Sequence, residues 1–149
     1  MTETSAIMKY LCERHKPELL GTTPEQRGHI LMVENIITGL GSAFGGCYWS
    51  EDKESVITAV NEKMKPVSEF LGEKEYLIGA NLSYVDFWFF ELVCKYKALT
   101  GSKCFDLYPN LKSYYDWMNL VPQIKAYWTG PSWENLIYNN KIAKINFRD

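Results

Sequence analysis

The sequence predicts an all-α protein, a single helical bundle without a β-sheet. Three observations support this fold class. No segment alternates apolar and polar residues for long enough to indicate a strand, whereas apolar residues recur at spacings of three and four along most of the chain. The stretch that follows Ser83 is apolar almost all the way round a helix, which is typical of the buried centre of a helical domain. Its apolar residues are Phe87, Trp88, Phe89, Phe90, Leu92 and Val93.

The bulk properties of the chain exclude several functional classes. Its 149 residues suffice for one domain with a substantial core, and we find no repeat, low-complexity linker or second domain. A net charge of −2 gives no electrostatic reason to expect nucleic acid or an anionic membrane as a partner. The longest apolar run is interrupted by Asp86 and Glu91 and is shorter than the roughly 20 residues of a membrane span. The first ten residues lack the pattern of a secretion signal, so we expect a cytoplasmic location.

The cysteines and histidines show no spacing typical of a metal site. The cysteines lie far apart, without a CxxC motif, and without a signal peptide we expect free thiols rather than disulfides. Both histidines are isolated, so we interpret them as solvated or helix-end residues rather than ligands or bases. These residues are Cys12, Cys47, Cys94, Cys104, His15 and His29. We also find no nucleophile–base pair and no phosphate loop, so we assign no catalytic residue and no metal.

The first predicted helix follows Thr4-Ser5 and ends before Pro17, because proline cannot continue a helix. One of its faces carries the apolar side chains of Ile7, Tyr10 and Leu11.

The second predicted helix has the strongest start signal in the chain. Thr23 can cap it, Pro24 suits its first position, and Gln26 completes a Thr-x-x-Gln capping box. Apolar residues then follow at helical spacing and predict one buried stripe. The stripe consists of Ile30, Val33, Ile37, Leu40 and Phe44.

Four glycines lie at the far end of this second helix, and each interior glycine destabilises a helix by about 1 kcal/mol relative to alanine. Either the helix bends or frays there, or another backbone or a ligand approaches closely. The glycines are Gly39, Gly41, Gly45 and Gly46.

The third predicted helix extends from about Ser50 to Leu71, with an expected kink at Pro66 and a stop at Gly72. Its predicted inward residues are Val56, Ile57, Val60, Met64, Val67 and Phe70.

The fourth helix is predicted to begin at a structural capping box. Ser83 is the N-cap and Asp86 occupies the third helical position, while Leu82 and Phe87 hold the positions of a hydrophobic staple. We expect loss of Asp86 to cost about 1 kcal/mol or more, because water does not reach a buried helix end.

Two shorter helices are predicted next, the second beginning at Pro122. The tail with Trp133, Leu136 and Ile137 shows no long period.

The chain contains four stretches that, in order and at the right separations, resemble the C-terminal part of cytosolic glutathione S-transferases: "TETSAIMKYLCERH", "LLGTTPEQRGHILMVEN", "EFLGEKEYLIGANLSYVDF" and "LYPNLKSYYDWMNLVPQIKAY". The mu class and its sigma-like relatives are most similar. The resemblance covers roughly residues 3 to 130, and its most specific piece is Gly79…Ser83-x-x-Asp86, the family's known folding element. It implies a helical domain of the glutathione S-transferase C-terminal type over residues 17–149. Residues 1–16 resemble the last helix of the family's thioredoxin-like domain.

The resemblance also implies how glutathione would be bound. The family's catalytic group, which stabilises the thiolate of glutathione, belongs to an N-terminal thioredoxin-like domain without a counterpart in these residues. Glu3 and Thr4 match the helix start at which the family holds the γ-glutamyl carboxylate. Alternatively, Glu3-Thr4-Ser5 is an ordinary helix cap. No cofactor is implied, since glutathione would be a substrate.

The site for the second substrate is altered relative to the family pattern. Phe44 and Tyr48 match the helix end that lines this hydrophobic pocket, and Cys47-Tyr48 resembles the family's Cys-Tyr. Gly41, Gly45 and Gly46 stand where the family has bulkier residues, and Gly39 stands where an aspartate often reaches glutathione across the dimer. Because apolar walls hold apolar substrates, we expect a changed pocket.

Two functions of different classes are consistent with the resemblance. The first is a non-catalytic interaction or structural subunit, because the apolar face with Ile7, Tyr10 and Leu11 favours association with another protein subunit or a second copy. The second is a glutathione transferase, conjugating glutathione to electrophiles, whose thioredoxin-like domain is supplied by another chain or is missing from this sequence. In that case Tyr48 would assist or orient the second substrate. A weaker third hypothesis is a carrier of hydrophobic ligands.

Overall fold

The computed structural model describes residues 1–130 and 138–147, and within these residues it contains helices and no β-sheet. An isolated antiparallel bridge between Tyr76 and Gly79 closes one turn. The predicted all-α fold is therefore confirmed, while Trp133, Leu136 and Ile137 lie outside the described residues. The elements are α1 (Thr4–His15), a 3-10 turn (Pro17–Leu20), α2 (Pro24–Phe44), α3 (Gly46–Trp49), α4 (Lys53–Leu71), α5 (Tyr84–Thr100), α6 (Cys104–Leu107), α7 (Pro109–Leu120) and α8 (Pro122–Trp128).

Helix α5 is the centre of the bundle. It contacts α1, α2, α4, α6 and α7, and ten of its 17 residues are buried. Burying one large apolar side chain contributes roughly 1.5–3 kcal/mol, so a helix that is apolar on nearly every side is stable only inside a domain. The prediction of a buried central helix after Ser83 is confirmed.

Helix α2 packs along α4 and buries the predicted stripe, in which Ile37 and Leu40 are fully buried. Its start is the predicted one, since the Thr23 hydroxyl accepts a hydrogen bond from the Gln26 N–H at 3.2 Å. The Gln26 side chain, however, accepts from the N–H of Thr22 at 2.8 Å rather than from Thr23. The reciprocal half of the capping box is therefore displaced by one residue.

Helix α4 begins three residues later than predicted. Its N-cap is Asp52, whose carboxylate accepts a hydrogen bond from the Ser55 N–H at 3.1 Å. Pro66 lies inside the helix, which continues to Leu71 and ends at Gly72. Of the predicted inward residues, Ile57 and Phe70 are only partly buried, and in the last turn it is Leu71 that is fully buried.

The glycines at the end of α2 differ from one another. Gly45 separates α2 from the short helix α3, so the predicted interruption is found there. A Cβ added at Gly46 would lie 3.1 Å from the Val56 side chain, which places α4 in close contact with this point. A Cβ at Gly39 or Gly41 would meet nothing within 4 Å, so no described atom approaches those two glycines.

Among the described residues, one helix is long and apolar enough to cross a membrane, judged by length and composition alone. It is the combined segment Pro24–Trp49, whose most apolar stretch has a mean hydropathy of 1.3 and is 39% buried in the bundle. The core helix of a helical bundle passes the same test, and this one carries the buried, charged Glu34 near its middle. The finding is therefore weak support for a membrane span.

The remaining helices agree with prediction in part. The two shorter helices predicted after α5 correspond to α7, which begins at Pro109, and α8, which begins at Pro122 as predicted. The four-residue helix α6 was not predicted, because one turn is too short to show a periodic pattern.

Candidate functional site

The predicted capping box at the start of α5 is formed. The Asp86 side chain is fully buried, and its Oδ2 accepts hydrogen bonds from the Ser83 N–H at 2.9 Å and the Ser83 hydroxyl at 2.6 Å. Its Oδ1 accepts from the Leu77 N–H at 2.8 Å. Burial raises the pKa of the Asp86 carboxyl, and the hydrogen bonds from Ser83 and Leu77 oppose that rise. The capping box therefore fixes the preceding loop to the central helix.

The predicted glutathione contact lies at the start of α1. Glu3 is exposed and occupies the N-cap position with φ of 68°, and it forms no side-chain hydrogen bond to the helix. Glu3 is the N-cap residue and Thr4 and Ser5 are the first residues of the helix, so the stretch lies at a helix start, as both interpretations of it require. The binding of glutathione by Glu3 and Thr4 stays a prediction.

Ser5 instead contributes to a buried cluster around Glu34. The Glu34 carboxylate, on α2, accepts hydrogen bonds from the hydroxyl of Ser5 and from the Tyr84 hydroxyl at 2.6 Å. The Lys9 ammonium lies 2.6 Å from its Oε2 and 3.0 Å from its Oε1. Because Ser5 and Lys9 belong to α1 and Tyr84 begins α5, one carboxylate connects three helices.

The charge on Glu34 is stabilised by these partners. Burial alone would raise the pKa of this carboxyl, but the hydrogen bonds from Lys9, Ser5 and Tyr84 and the charge of Lys9 lower it overall. Burial and the neighbouring carboxylate raise the pKa of the Tyr84 hydroxyl, which therefore remains a donor. The cluster holds α1 on the bundle as a charged, fully hydrogen-bonded contact.

We define the α1–α2 face as the exposed apolar side chains of these two helices. Between them lies a cleft of about 460 Å³, with Tyr10 and Leu31 on its sides and Tyr84 among its lining residues. Lys9, Glu13 and Arg27 supply charges of both signs around it. The face consists of Ile7 (39% exposed), Tyr10 (46%), Leu11 (49%), Leu31 (48%) and Met32 (42%).

The residues predicted to line the second-substrate pocket lie where α2 ends. Phe44 is 3% exposed and packs in the core, whereas Tyr48 is half-buried. The neighbouring Cys47 is fully buried, and its carbonyl accepts a hydrogen bond from the Ile145 N–H at 2.9 Å. Residues near the C-terminus thus cover this corner, and a substrate-binding role for Phe44 and Tyr48 stays a prediction.

The cysteines lie in the interior of the bundle. All four cysteines are free thiols and buried, and burial raises the pKa of Cys12, Cys47 and Cys104. Within residues 1–130 and 138–147, no three His, Cys, Asp or Glu side chains lie together in a way that could hold a metal ion.

Sequence reasoning missed Glu34. A signal was present, since Glu34 sits beside Val33 on the apolar stripe of α2, where a charged residue requires a partner. Its partners, however, are 25 to 50 residues away along the chain, so their identity could not be read from local spacing.

Comparison with known proteins identifies the class of this domain. The family described as "Glutathione S-transferase, C-terminal domain" matches residues 44–130. The chain is 35% identical over 131 residues to the Fasciola hepatica glutathione S-transferase class-mu 26 kDa isozyme 7, covering 85% of this chain and 59% of that protein. It is 30% identical to the Rattus norvegicus glutathione S-transferase Mu 1, covering 97% of this chain and 66% of that protein.

Solved structures share the fold at lower identity. The pi-class glutathione S-transferase of Onchocerca volvulus superposes with a TM-score of 0.83 at 18% identity, over 96% of this chain and 71% of that structure. The fold is thus that of a glutathione S-transferase helical domain. The chain belongs to the glutathione S-transferase family and spans about 59% of the length of the Fasciola relative.

Proposed function

We propose that this chain is a glutathione S-transferase-type helical subunit that acts through protein association at the α1–α2 face, and that a second copy of the chain is its partner. The observation that carries the proposal is the set of exposed apolar side chains on the two helices. An apolar patch of this kind, surrounded by charged groups, is characteristic of an interaction site. A cytoplasmic location fits this role and stays a prediction.

The charges around the cleft support pairing of identical surfaces. A two-fold interface brings the same patch of each subunit together, so it must be complementary to itself. Glu13 and Arg27 line the same cleft and carry opposite charges. Across a two-fold axis, Glu13 of each copy can therefore face Arg27 of the other copy. The apolar side chains between them would supply the core of the interface.

The oligomeric state of the chain tests this proposal directly. Leu31→Gln replaces an apolar side chain of the face while keeping a good helix former, and we expect it to weaken self-association at least tenfold in sedimentation equilibrium. Leu120→Gln is the matched control, since Leu120 is 73% exposed at the end of α7, and it should leave association unchanged. A monomeric wild-type chain at high concentration, or equal behaviour of the two variants, would contradict the proposal.

Glutathione conjugation is the alternative function. It is supported by the names of the relatives, which are transferases, and by the position of Glu3 and Thr4 at the start of a 12-residue helix whose N-cap forms no side-chain hydrogen bond. The thioredoxin-like domain that the mechanism needs would belong to the same polypeptide or to a partner. Tyr48 would then orient the second substrate.

Calorimetric measurement of glutathione binding tests this alternative. If Glu3 and Thr4 hold the γ-glutamyl carboxylate, Thr4→Ala should weaken glutathione binding in calorimetry while Thr58→Ala, a threonine on the exposed side of α4, should not. Conjugation of an electrophile by the chain together with a thioredoxin-like domain would support the enzyme. The same mixture showing neither binding nor turnover would favour the non-catalytic subunit.

A further inference from the structure

Helix α1 is attached to the bundle with little apolar burial. Eight of the 12 residues that form it are exposed and one, Cys12, is buried, whereas ten of the 17 residues of α5 are buried. Met8 adds a partly buried contact with the core. The N-cap residue Glu3 forms no side-chain hydrogen bond to the helix. Burial and capping therefore stabilise α1 less than they stabilise α5.

The carboxylate of Glu34 is the polar attachment point of α1. Two of the side chains that donate to it, Ser5 and Lys9, belong to α1 and lie one turn apart on the same side of that helix. The Tyr84 hydroxyl at the start of α5 is the third donor. One side chain of α2 thus connects α1 to both of the helices beneath it.

Lys9 supplies the positive charge at this carboxylate. The groups that face Glu34 are Ser5 and Lys9 on α1 and Tyr84 on α5, and the thiol of Cys12 lies near Tyr84. Burial alone would raise the pKa of the Glu34 carboxyl, but these hydrogen bonds and the charge of Lys9 lower it. A protonated carboxyl carries no charge, so it loses the ion pair with Lys9 and accepts weaker hydrogen bonds from the two hydroxyls.

We propose that Glu34 makes the attachment of α1 acid-sensitive: protonation of its carboxylate releases α1 from the bundle and takes the α1–α2 face apart. An isolated helix of 12 residues is marginal in water, so a released α1 also loses its helical structure. Ile7, Tyr10 and Leu11 leave the face together with α1. The resulting control of self-association rests on the function proposed for this face.

The rest of the bundle should stay folded while α1 is released. Burial raises the pKa of the Asp86 carboxyl, so the contribution of this residue to stability is largest at acid pH, where that of Glu34 is lost. Acid therefore acts with opposite signs on the attachment of α1 and on the capping box of α5. This difference favours a local opening of α1 over unfolding of the whole domain.

The native thiols can report which part of the protein opens. Cys12 belongs to α1, while Cys47, Cys94 and Cys104 lie on α3, α5 and α6, and all four are buried. Release of α1 exposes Cys12 alone, whereas unfolding of the bundle exposes all four. Labelling with a dipyridyl disulfide, with each cysteine identified by peptide mass spectrometry, distinguishes these two events. Rates are expressed relative to free cysteine at the same pH, in dilute protein.

Glu34→Gln tests the attachment at neutral pH, because glutamine has the size of a protonated glutamate and no charge. We expect Cys12 to be labelled at least about tenfold faster in this variant than in wild type, while the other three cysteines remain slow. Glu62→Gln is the matched control, since Glu62 is an exposed glutamate of α4, and it should leave Cys12 protected. Slow labelling of Cys12 in Glu34→Gln, or four cysteines that react together, would overturn the proposal.

The pH profile of labelling tests the titration itself. In wild type, the relative rate at Cys12 should rise about fivefold or more between about pH 7 and about pH 3.5, because the released state binds a proton at Glu34 more readily than the docked state. In Glu34→Gln the rate should be high and independent of pH. A profile that rises equally in both proteins would mean that another group controls α1, and the proposal would be wrong.

Sedimentation equilibrium at neutral pH measures the consequence for the α1–α2 face. Glu34→Gln should weaken self-association at least about tenfold, and Glu62→Gln should leave it unchanged. A wild-type chain that stays monomeric would overturn the function proposed for the face, while labelling of Cys12 in dilute protein decides separately whether Glu34 controls α1. Strong self-association of Glu34→Gln with fast labelling of Cys12 would show that the face does not need α1, against the proposal.

Discussion

Asp86 and Glu34 are two buried carboxylates that fix the start of α5 in different ways. The side-chain carboxylate of Asp86 accepts hydrogen bonds from neutral donors of Leu77 and Ser83, which lie within nine residues of it, and burial raises the pKa of this carboxyl. Glu34 accepts from α1 and α5, includes the charged Lys9 among its partners, and has a lowered pKa. The comparison shows that deeper burial outweighs the hydrogen bonds at Asp86, whereas at Glu34 a neighbouring cation and three hydrogen bonds together outweigh the cost of burial.

The largest effect should follow removal of the local carboxylate. Asp86→Ala leaves the N–H groups of Ser83 and Leu77 without their acceptor inside the protein, and we expect a loss of about 3 kcal/mol in the free energy of unfolding. Urea denaturation measures this loss. Asp106→Ala, on the short helix α6, is the control and should change stability little; a small effect at Asp86 would mean that the loop before α5 rearranges to supply other acceptors.

Removal of the long-range carboxylate should cost less. Glu34→Ala leaves the buried Tyr84 hydroxyl unpaired and frees Lys9, which is partly in water, so we expect a loss of about 2 kcal/mol. Hydrogen exchange should also become faster in α1, because its polar attachment to α2 and α5 is gone. Glu13→Ala, also on α1, is the control; unchanged exchange in α1 would show that packing alone holds this helix.

The pH dependence of stability should have opposite signs at the two sites. Because the pKa of Glu34 is lowered in the folded protein, its charge stabilises the fold fully at pH values above its ordinary pKa of 4.5. This stabilisation is lost as the pH falls through the pKa of the folded state. The raised pKa of Asp86 means that stability instead declines as the pH rises from 3.8 through the folded pKa.

Unfolding of Glu34→Gln and Asp86→Asn at several pH values separates these contributions. The difference between wild type and Glu34→Gln should shrink toward acid, and the difference between wild type and Asp86→Asn should shrink toward neutral pH. Parallel curves for the two variants would mean that neither carboxyl has the shift assigned to it.

The smallest effects should come from two tyrosine hydroxyls. Tyr84 donates to the Glu34 carboxylate, and Tyr114 donates to the backbone carbonyl of Asp86 at 2.8 Å. Because a charged acceptor makes a stronger hydrogen bond, we expect Tyr84→Phe to cost about 1.5 kcal/mol and Tyr114→Phe about 1 kcal/mol. Equal losses in thermal denaturation would indicate that the charge of Glu34 contributes nothing at this hydroxyl.

The same two carboxylates show what the sequence could and could not predict. Asp86 was found because a capping box is a pattern of four neighbouring residues, and helix ends of this kind depend on local geometry. Glu34 was missed because its function depends on which helices pack together. The cap at Asp52 was missed for a different reason, since Ser50 offered an equally good start three residues earlier.

For the candidate sites, the apolar residues of α1 were predicted correctly as one exposed face, because three residues at helical spacing suffice to show it. Leu31 and Met32 on α2 were not assigned to that face, since a sequence does not show which side of a mostly apolar helix remains uncovered. The cleft between α1 and α2 could not be predicted, because its shape depends on the angle at which these two helices pack and on Tyr84, which comes from a distant part of the chain.

The burial of all four thiols has a practical consequence for spectroscopy. A maleimide dye or nitroxide reacts with accessible thiolates, and the native sulfurs are shielded from it. A single cysteine introduced at an exposed site such as Ser102 would then be the one position that labels quickly. Distances between subunits could be measured from that label without first removing any native sulfur from the interior.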